Sequence, residues 1–137
     1  MKKLLLILLC LPMIGFGQTI IMDANFEQAL INLGCDTGIP DGSVSTASID
    51  TIIFLDVSSS SIANLTGIED FTALTYFDCS YNQIVSLDLS NNHDLQSLDC
   101  SNNQLTTLNI RNGNNSSGLW SWPVYCIHFL NTSSNPN

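Results

Sequence analysis

Residues 74–94 and 95–115 align on one another without a gap, and this 21-residue period constrains the fold more than any other feature of the chain. Leu74 falls on Leu95, Phe77 on Leu98, Cys79 on Cys100, Ile84 on Leu105, Leu87 on Leu108 and Leu89 on Ile110, while Asn82 falls on Asn103. A fixed period of this length belongs to a chain that winds in stacked coils, each burying its apolar side against its neighbours. Residues 52–73 form a looser first unit of 22 residues, carrying Ile52, Leu55, Val57, Ile62, Leu65, Ile68 and Phe71. In its second half Ile68, Phe71 and Leu74 recur at three-residue intervals, which predicts a turn of helix there and not a strand. Each later unit divides into halves beginning at Leu74, Ile84, Leu95 and Leu105, every one reading LxxLxL. That alternation predicts two short parallel strands per unit, one on each side of the coil.

The pattern LxxLxLxxN resembles the leucine-rich repeat family, and the two-half unit resembles its two-stranded bacterial class. Together with an amino-terminal helix and an Asp-Gly bridge, residues 23–115 are similar to small repeat proteins secreted by Bacteroidetes. The resemblance implies a leucine-rich repeat solenoid, right-handed, built of three coils at 52–73, 74–94 and 95–115. It implies protein recognition as the function, on the side formed by the first strand of each unit. It also implies that Asn82 and Asn103 form a structural asparagine ladder bonding backbone groups inside the turns, with Ser60 as the weaker substitute in the first unit.

Met1-Lys2-Lys3, an apolar core from Leu4 to Ile14 and Gly15-Phe16-Gly17 read as a secretory signal peptide over residues 1–17, cleaved after Gly17. The apolar run is too short to span a membrane. Cys10 lacks the small residue that a lipoprotein site needs before its cysteine. With Lys2 and Lys3 removed, Arg111 is the one remaining Lys or Arg against 12 acidic residues, a net charge of −11. Such a surface repels nucleic acid and anionic lipid, and it suits solubility outside the cell, cations or basic proteins.

Residues 18–51 read as an amino-terminal cap. Asp23 is placed to accept from the first-turn amides of a helix running to Leu33, and Gly34 to stop it. Phe26, Leu30 and Leu33 are expected on its apolar face, covering the open end of the first coil, with Glu27 and Gln28 outward. Residues 35–48 form a turn-rich bridge with Gly38, Pro40, Asp41 and Gly42. As a calcium loop it fails: counted from Asp36, Gly38 and Pro40 occupy ligand positions and Asp41 stands where the glycine belongs. Residues 116–137, with Trp120, Trp122, Pro123, Tyr125 and Phe129, show no repeat phase. They are expected either to fold over the last coil or to be the tail of a truncated repeat protein.

Inward positions are expected at Leu55, Val57, Phe77, Cys79, Leu87, Leu89, Leu98, Cys100, Leu108 and Ile110. Cys79 and Cys100 then sit in the core as small hydrophobes, a bond between them being the alternative. Cys35 and Cys126 cannot be paired from the sequence. The outward columns are Phe54/Tyr76/Ser97, Asp56/Asp78/Asp99 and Ser58/Ser80/Ser101 on one side, and Asn64/Ser86/Thr107 and Thr66/Asp88/Asn109 on the other. Neighbouring parallel strands lie about 4.8 Å apart, so the aligned carboxylates either stand solvated or meet a cation or a basic partner. Phe54, Asp56, Tyr76, Asp78 and Asp99 form the candidate partner-binding face.

Nothing in the pattern supports catalysis. His93 and His128 have no nucleophile paired with them by sequence logic, Cys126-x-His128 is too small a set for zinc, and no phosphate-cradling glycine loop occurs. No cofactor is implied. The Asn-x-Ser/Thr sites at Asn64, Asn114, Asn115 and Asn131, and Asp50-Thr51-Ile52 as an O-glycan acceptor motif, are short matches. A non-catalytic, secreted or surface protein-binding module is the expected function. Its alternatives are a carbohydrate-binding or adhesive module and a repeat remnant without independent function.

Overall fold

The computed structural model describes residues 17–113 and the backbone of a strand at 124–125. Residues 1–16 of the expected signal segment, Cys126, His128, the tail tryptophans and the Asn114, Asn115 and Asn131 sites lie outside the described residues.

Three parallel strands repeat through the units: β3 (Phe54–Asp56), β4 (Tyr76–Asp78) and β6 (Ser97–Asp99). They align Leu55 with Phe77 and Leu98, and Asp56 with Asp78 and Asp99. The second halves of the later units supply β5 (Ser86–Asp88) and β7 (Thr107–Asn109), also parallel, pairing Leu87 with Leu108. Strand length follows from the sequence, since LxxLxL gives only one alternation before the turn. The first unit has no second strand among the described residues and forms a 3₁₀ turn at Ile68–Asp70, as the three-residue spacing of its apolar residues requires.

Both sheets turn their buried side chains into one core containing Leu55, Val57, Phe77, Cys79, Leu87, Leu89, Leu98 and Cys100. Leu108 and Ile110 pack against it half-buried. Phe77 and Leu98 are wholly buried, which fixes the register, because a one-residue slip would turn every side chain over.

Helix α1 (Ala24–Asn32) follows Asp23, whose Oδ1 accepts from the Asn25 and Phe26 amides. Its Oδ2 reaches into the first repeat unit and accepts from the Ala63 and Asn64 amides at 2.7 and 2.9 Å. Burial pushes the Asp23 carboxyl up, but these four amides together hold it below the usual carboxylate range. Phe26, Ala29 and Leu30 are buried, and the Phe26 ring lies 6.3 Å from that of Phe71.

The helix departs from expectation at two residues. Glu27, expected outward, is 1% exposed, and its carboxylate accepts from the Asp41 and Gly42 amides at 2.6 and 2.8 Å. The bridge folds back over the helix and supplies partners that spacing alone could not reveal. Leu33, expected on the apolar face, is 51% exposed, because it lies beyond the last helical residue at the turn into Gly34.

The bridge also contains regular structure that its turn residues concealed. β2 (Ser43–Ser45) runs into a single helical turn, α2 (Thr46–Ile49), and pairs antiparallel with β1 (Gln18–Ile20). Thr19, buried in β1, donates to Asp70 Oδ2 at 2.6 Å. Ile21, just beyond β1, packs beside Gly67, where a Cβ would lie 2.8 Å from the Ile20 carbonyl oxygen. Only glycine, here at φ 104°, permits so close an approach.

Residues Val124–Tyr125 form β8, parallel to β6, aligning Val124 with Leu98 and Tyr125 with Asp99. Val124 lies 26 residues beyond Leu98, against 21 between Phe77 and Leu98, so β8 falls outside the 21-residue phase.

Candidate functional site

The strand register brings the five residues of the candidate face together on one sheet. Phe54 and Tyr76 are aligned neighbours whose rings stack at a centroid distance of 4.4 Å and an angle of 5°. Phe54 is 59% exposed, and Ile53 beside it 61%. Two residues further along each strand, Asp56, Asp78 and Asp99 stand in line, Asp56 exposed and the other two half-buried. Burial pushes the Tyr76 hydroxyl pKa up, and the carboxylates of Asp78, Asp56 and Asp99 add to that shift. The aromatic pair therefore sits in a negative field of the neighbouring carboxylates.

Each aspartate also has a local duty that the column reading overlooked. Asp56 Oδ1 accepts from the Ser58 amide at 3.0 Å, Asp78 from Ser80 and Asp99 from Ser101, both at 2.9 Å. The same bond recurs at the end of β5, from Ser90 to Asp88, and at the end of β7, from Arg111 to Asn109. These are Asx turns, in which a short side chain takes the backbone amide two residues on and bends the chain out of the strand. The signal was visible as Asp-x-Ser at 56, 78, 88 and 99. The turn also draws Ser80, placed outward by alternation, into a buried position. One oxygen of each carboxylate serves the turn, which leaves its charge on the exposed side of the sheet.

The asparagines hold the turns from within. Asn82 Oδ1 accepts from the Ser60 and Ile62 amides, and its Nδ2 donates to the Val57, Cys79 and Ser80 carbonyls. Asn103 Oδ1 accepts from Ile84, and Nδ2 donates to Cys79, Cys100 and Ser101. Each thus ties its own unit to the one before. The Ser60 hydroxyl donates within its own turn, to the Ser58 carbonyl. A second set went unnoticed in the sequence: buried Asn92 donates to the Ile68 and Phe71 carbonyls, and Asn112 to the Asn92 carbonyl. Asn92 follows Leu89 by three residues, as Asn82 follows Cys79, so the motif itself pointed to it.

Cys79 is a free, buried thiol, and burial pushes its pKa far above the ordinary thiol range. Cys100 is disulfide-bonded, which excludes a bond between the two. Cys35 is a free, half-buried thiol.

The opposing polar columns meet as well. Thr107 Oγ1 donates to Ser86 Oγ at 2.7 Å, and Asn109 Nδ2 to both oxygens of Asp88 at 3.2 Å. Hydrogen bonds from Ser90 and Asn109 hold the Asp88 carboxyl below its ordinary value. Asn64, Thr66, Glu69, Ser86 and Asp88 line an open cleft of about 370 Å³ where the first unit lacks a strand beside β5. No cluster of three His, Cys, Asp or Glu side chains suited to a metal occurs among the described residues. No helix among them is long and apolar enough to cross a membrane.

Residues 72–112 match the family model described as Leucine Rich repeats (2 copies). The chain is 49% identical over 49 residues to internalin J of Listeria monocytogenes, a match covering 36% of this chain and 5% of that protein. A solved functional domain of internalin J from Listeria monocytogenes, described as including a cysteine ladder, superposes with a TM-score of 0.60 at 33% identity. That similarity covers 69% of this chain and 21% of the solved one. An internalin from the same organism, the inlF product, superposes with a TM-score of 0.52 at 20% identity, over 75% of this chain and 36% of its own, a likeness of fold. The chain thus spans a minor part of each relative's length. The repeat model, the aligned parallel strands and the superpositions agree that the chain carries leucine-rich repeats in a leucine-rich repeat fold.

Proposed function

We propose that the chain is a secreted or cell-surface, non-catalytic leucine-rich repeat module that binds a protein partner through Phe54, Asp56, Tyr76, Asp78 and Asp99. In this reading residues 1–17 are a signal peptide, residues 18–51 cap the first coil, and the units at 52–73, 74–94 and 95–115 wind as a right-handed solenoid. Asn82 and Asn103 are structural and leave the exposed face free to vary.

One observation carries the proposal: a stacked aromatic pair, Phe54 exposed and Tyr76 half-buried, in register with a line of carboxylates on the same sheet. Recognition surfaces concentrate their energy in aromatic anchors, with charge around them setting specificity and association rate. Aligned like charges repel in the free protein, and a basic partner relieves that repulsion on binding. The similarity to internalin J supports a surface or secreted setting, and the acidic composition supports a basic partner.

Capture from host or neighbouring-cell extracts by wild type and by the Asp56/Asp78/Asp99 triple Asn variant tests the face. Asparagine keeps the Oδ1 acceptor that each turn uses, so the variant retains its fold while losing three charges. Loss of a partner captured by wild type is the expected result. Equal recovery of every partner by both proteins removes this site.

A further inference from the structure

The first strand of the sheet has an open side. In a parallel ladder, alternate residues address alternate neighbours. The Ile53 carbonyl accepts from the Thr75 and Tyr76 amides and the Val57 amide donates to Asp78, so Ile53, Leu55 and Val57 turn their backbone groups toward β4. Phe54 and Asp56 turn theirs the other way. The strand order places β3 at the end of its sheet, and no other strand among the described residues pairs with that side. Folded proteins ordinarily cover or blunt such an edge, because a row of unpaired amides and carbonyls is a template for another chain. Here the edge carries exposed Ile53 and Phe54. One face of the Phe54 ring is stacked on Tyr76, and its other face lies on the side away from β4.

We infer that the outer side of β3 receives an extended segment of a basic partner by strand addition, parallel to β3, with an aromatic residue aligned beside Phe54 and a Lys or Arg aligned beside Asp56. The inference rests on the proposed interaction face and names how the partner engages it. Each of the partner's two side chains extends a column already built. The aromatic residue continues the Phe54–Tyr76 stack, and the cation joins the end of the Asp56/Asp78/Asp99 line. Parallel direction follows from the sheet, in which every pairing is parallel. Strand addition draws affinity from main-chain bonds and specificity from alternate side chains, which matches an edge with two distinct outward positions. Charge decides against a second copy of this chain as the occupant, since Lys and Arg number 3 against 12 acids.

A synthetic seven-residue-scale probe with a central Tyr-Thr-Lys flanked by threonines, measured by calorimetry against the full chain, tests the geometry. In parallel addition the residues between and flanking Tyr and Lys turn their amides to β3, whereas those of Tyr and Lys point away. N-methylation of the intervening threonine and of the threonine after Lys should weaken binding by about tenfold or more, since those two amides meet the Phe54 and Asp56 carbonyls. N-methylation of Tyr and Lys should leave affinity within about twofold of the parent peptide, because those amides make no bond to the edge. Equal binding of the two methylated peptides, the reverse pattern of losses, or no binding of the parent peptide overturns the inference. If the edge inference fails while partner capture still depends on the three aspartates, the face reading stands without it. If the Asp56/Asp78/Asp99 triple Asn variant binds the parent peptide as wild type does, the assigned pairing of its lysine is overturned.

Discussion

Asn82→Ala should be among the most damaging single polar substitutions in this chain. The side chain is 7% exposed and makes five hydrogen bonds, two as acceptor and three as donor, across two repeat units. Truncation strands the Ser60 and Ile62 amides and takes a donor from three carbonyls. The carbonyls cost less, because each has a second lone pair and water can approach a turn. The two amides alone, at roughly 1–3 kcal/mol each, give a loss of about 2–6 kcal/mol. Total stability for a domain of this size is about 5 kcal/mol or somewhat more, so the loss would consume much of it. In urea unfolding followed by circular dichroism, a slope of about 1.5 kcal/mol/M converts the middle of that range into a midpoint shift of about 2.7 M. Asn103→Ala should lose less, since Asn103 is half-buried and accepts from one amide. Exposed Asn91→Ala is the control. An Asn82→Ala midpoint indistinguishable from that of Asn91→Ala would refute the reasoning.

Three further outcomes follow from the same geometry. Leu98→Ala removes a fully buried side chain and should cost about 2–5 kcal/mol in the same unfolding assay, and an unchanged thermal melt would contradict its place in the core. Asp23 has a folded pKa below its unfolded value, so its contribution is complete above the unfolded pKa and is lost as pH falls through the folded one; wild type should therefore lose its advantage over Asp23→Asn as unfolding is measured at successively lower pH below about 4. Tyr81 is exposed at φ 54°, where the next unit places Asn102 at the same angle, so Tyr81→Asn should raise stability by about 0.5–1 kcal/mol, read as a higher melting temperature.

The repeat register was legible because period and alternation are properties of the apolar residues alone. Leu55, Phe77 and Leu98 had to align whatever the turns did, and the spacing of Ile68, Phe71 and Leu74 announced the 3₁₀ turn. Glu27 was misread because its burial depends on amides 14 and 15 residues away, supplied by a bridge whose path the helix pattern does not encode. β1 and β2 escaped notice for a related reason: three residues each, separated by a helix, they pair only after that helix has docked. Within the candidate site, the alignment of Phe54 with Tyr76 and of the three aspartates came directly from the register. Their ring stacking is a matter of side-chain rotation, which alternation leaves open. Asn92 and the Asp-x-Ser turns are different cases, since both were written in the motif of each half-unit.

The most direct test of the central claim is the salt dependence of partner affinity in wild type and in the Asp56/Asp78/Asp99 triple Asn variant. With a captured partner in hand, titration at low and high salt should show wild-type binding that weakens steeply as salt screens the carboxylates, and variant binding that is weaker at low salt and nearly flat. Equal affinity of the two proteins at low salt, with equal salt dependence, would contradict the account.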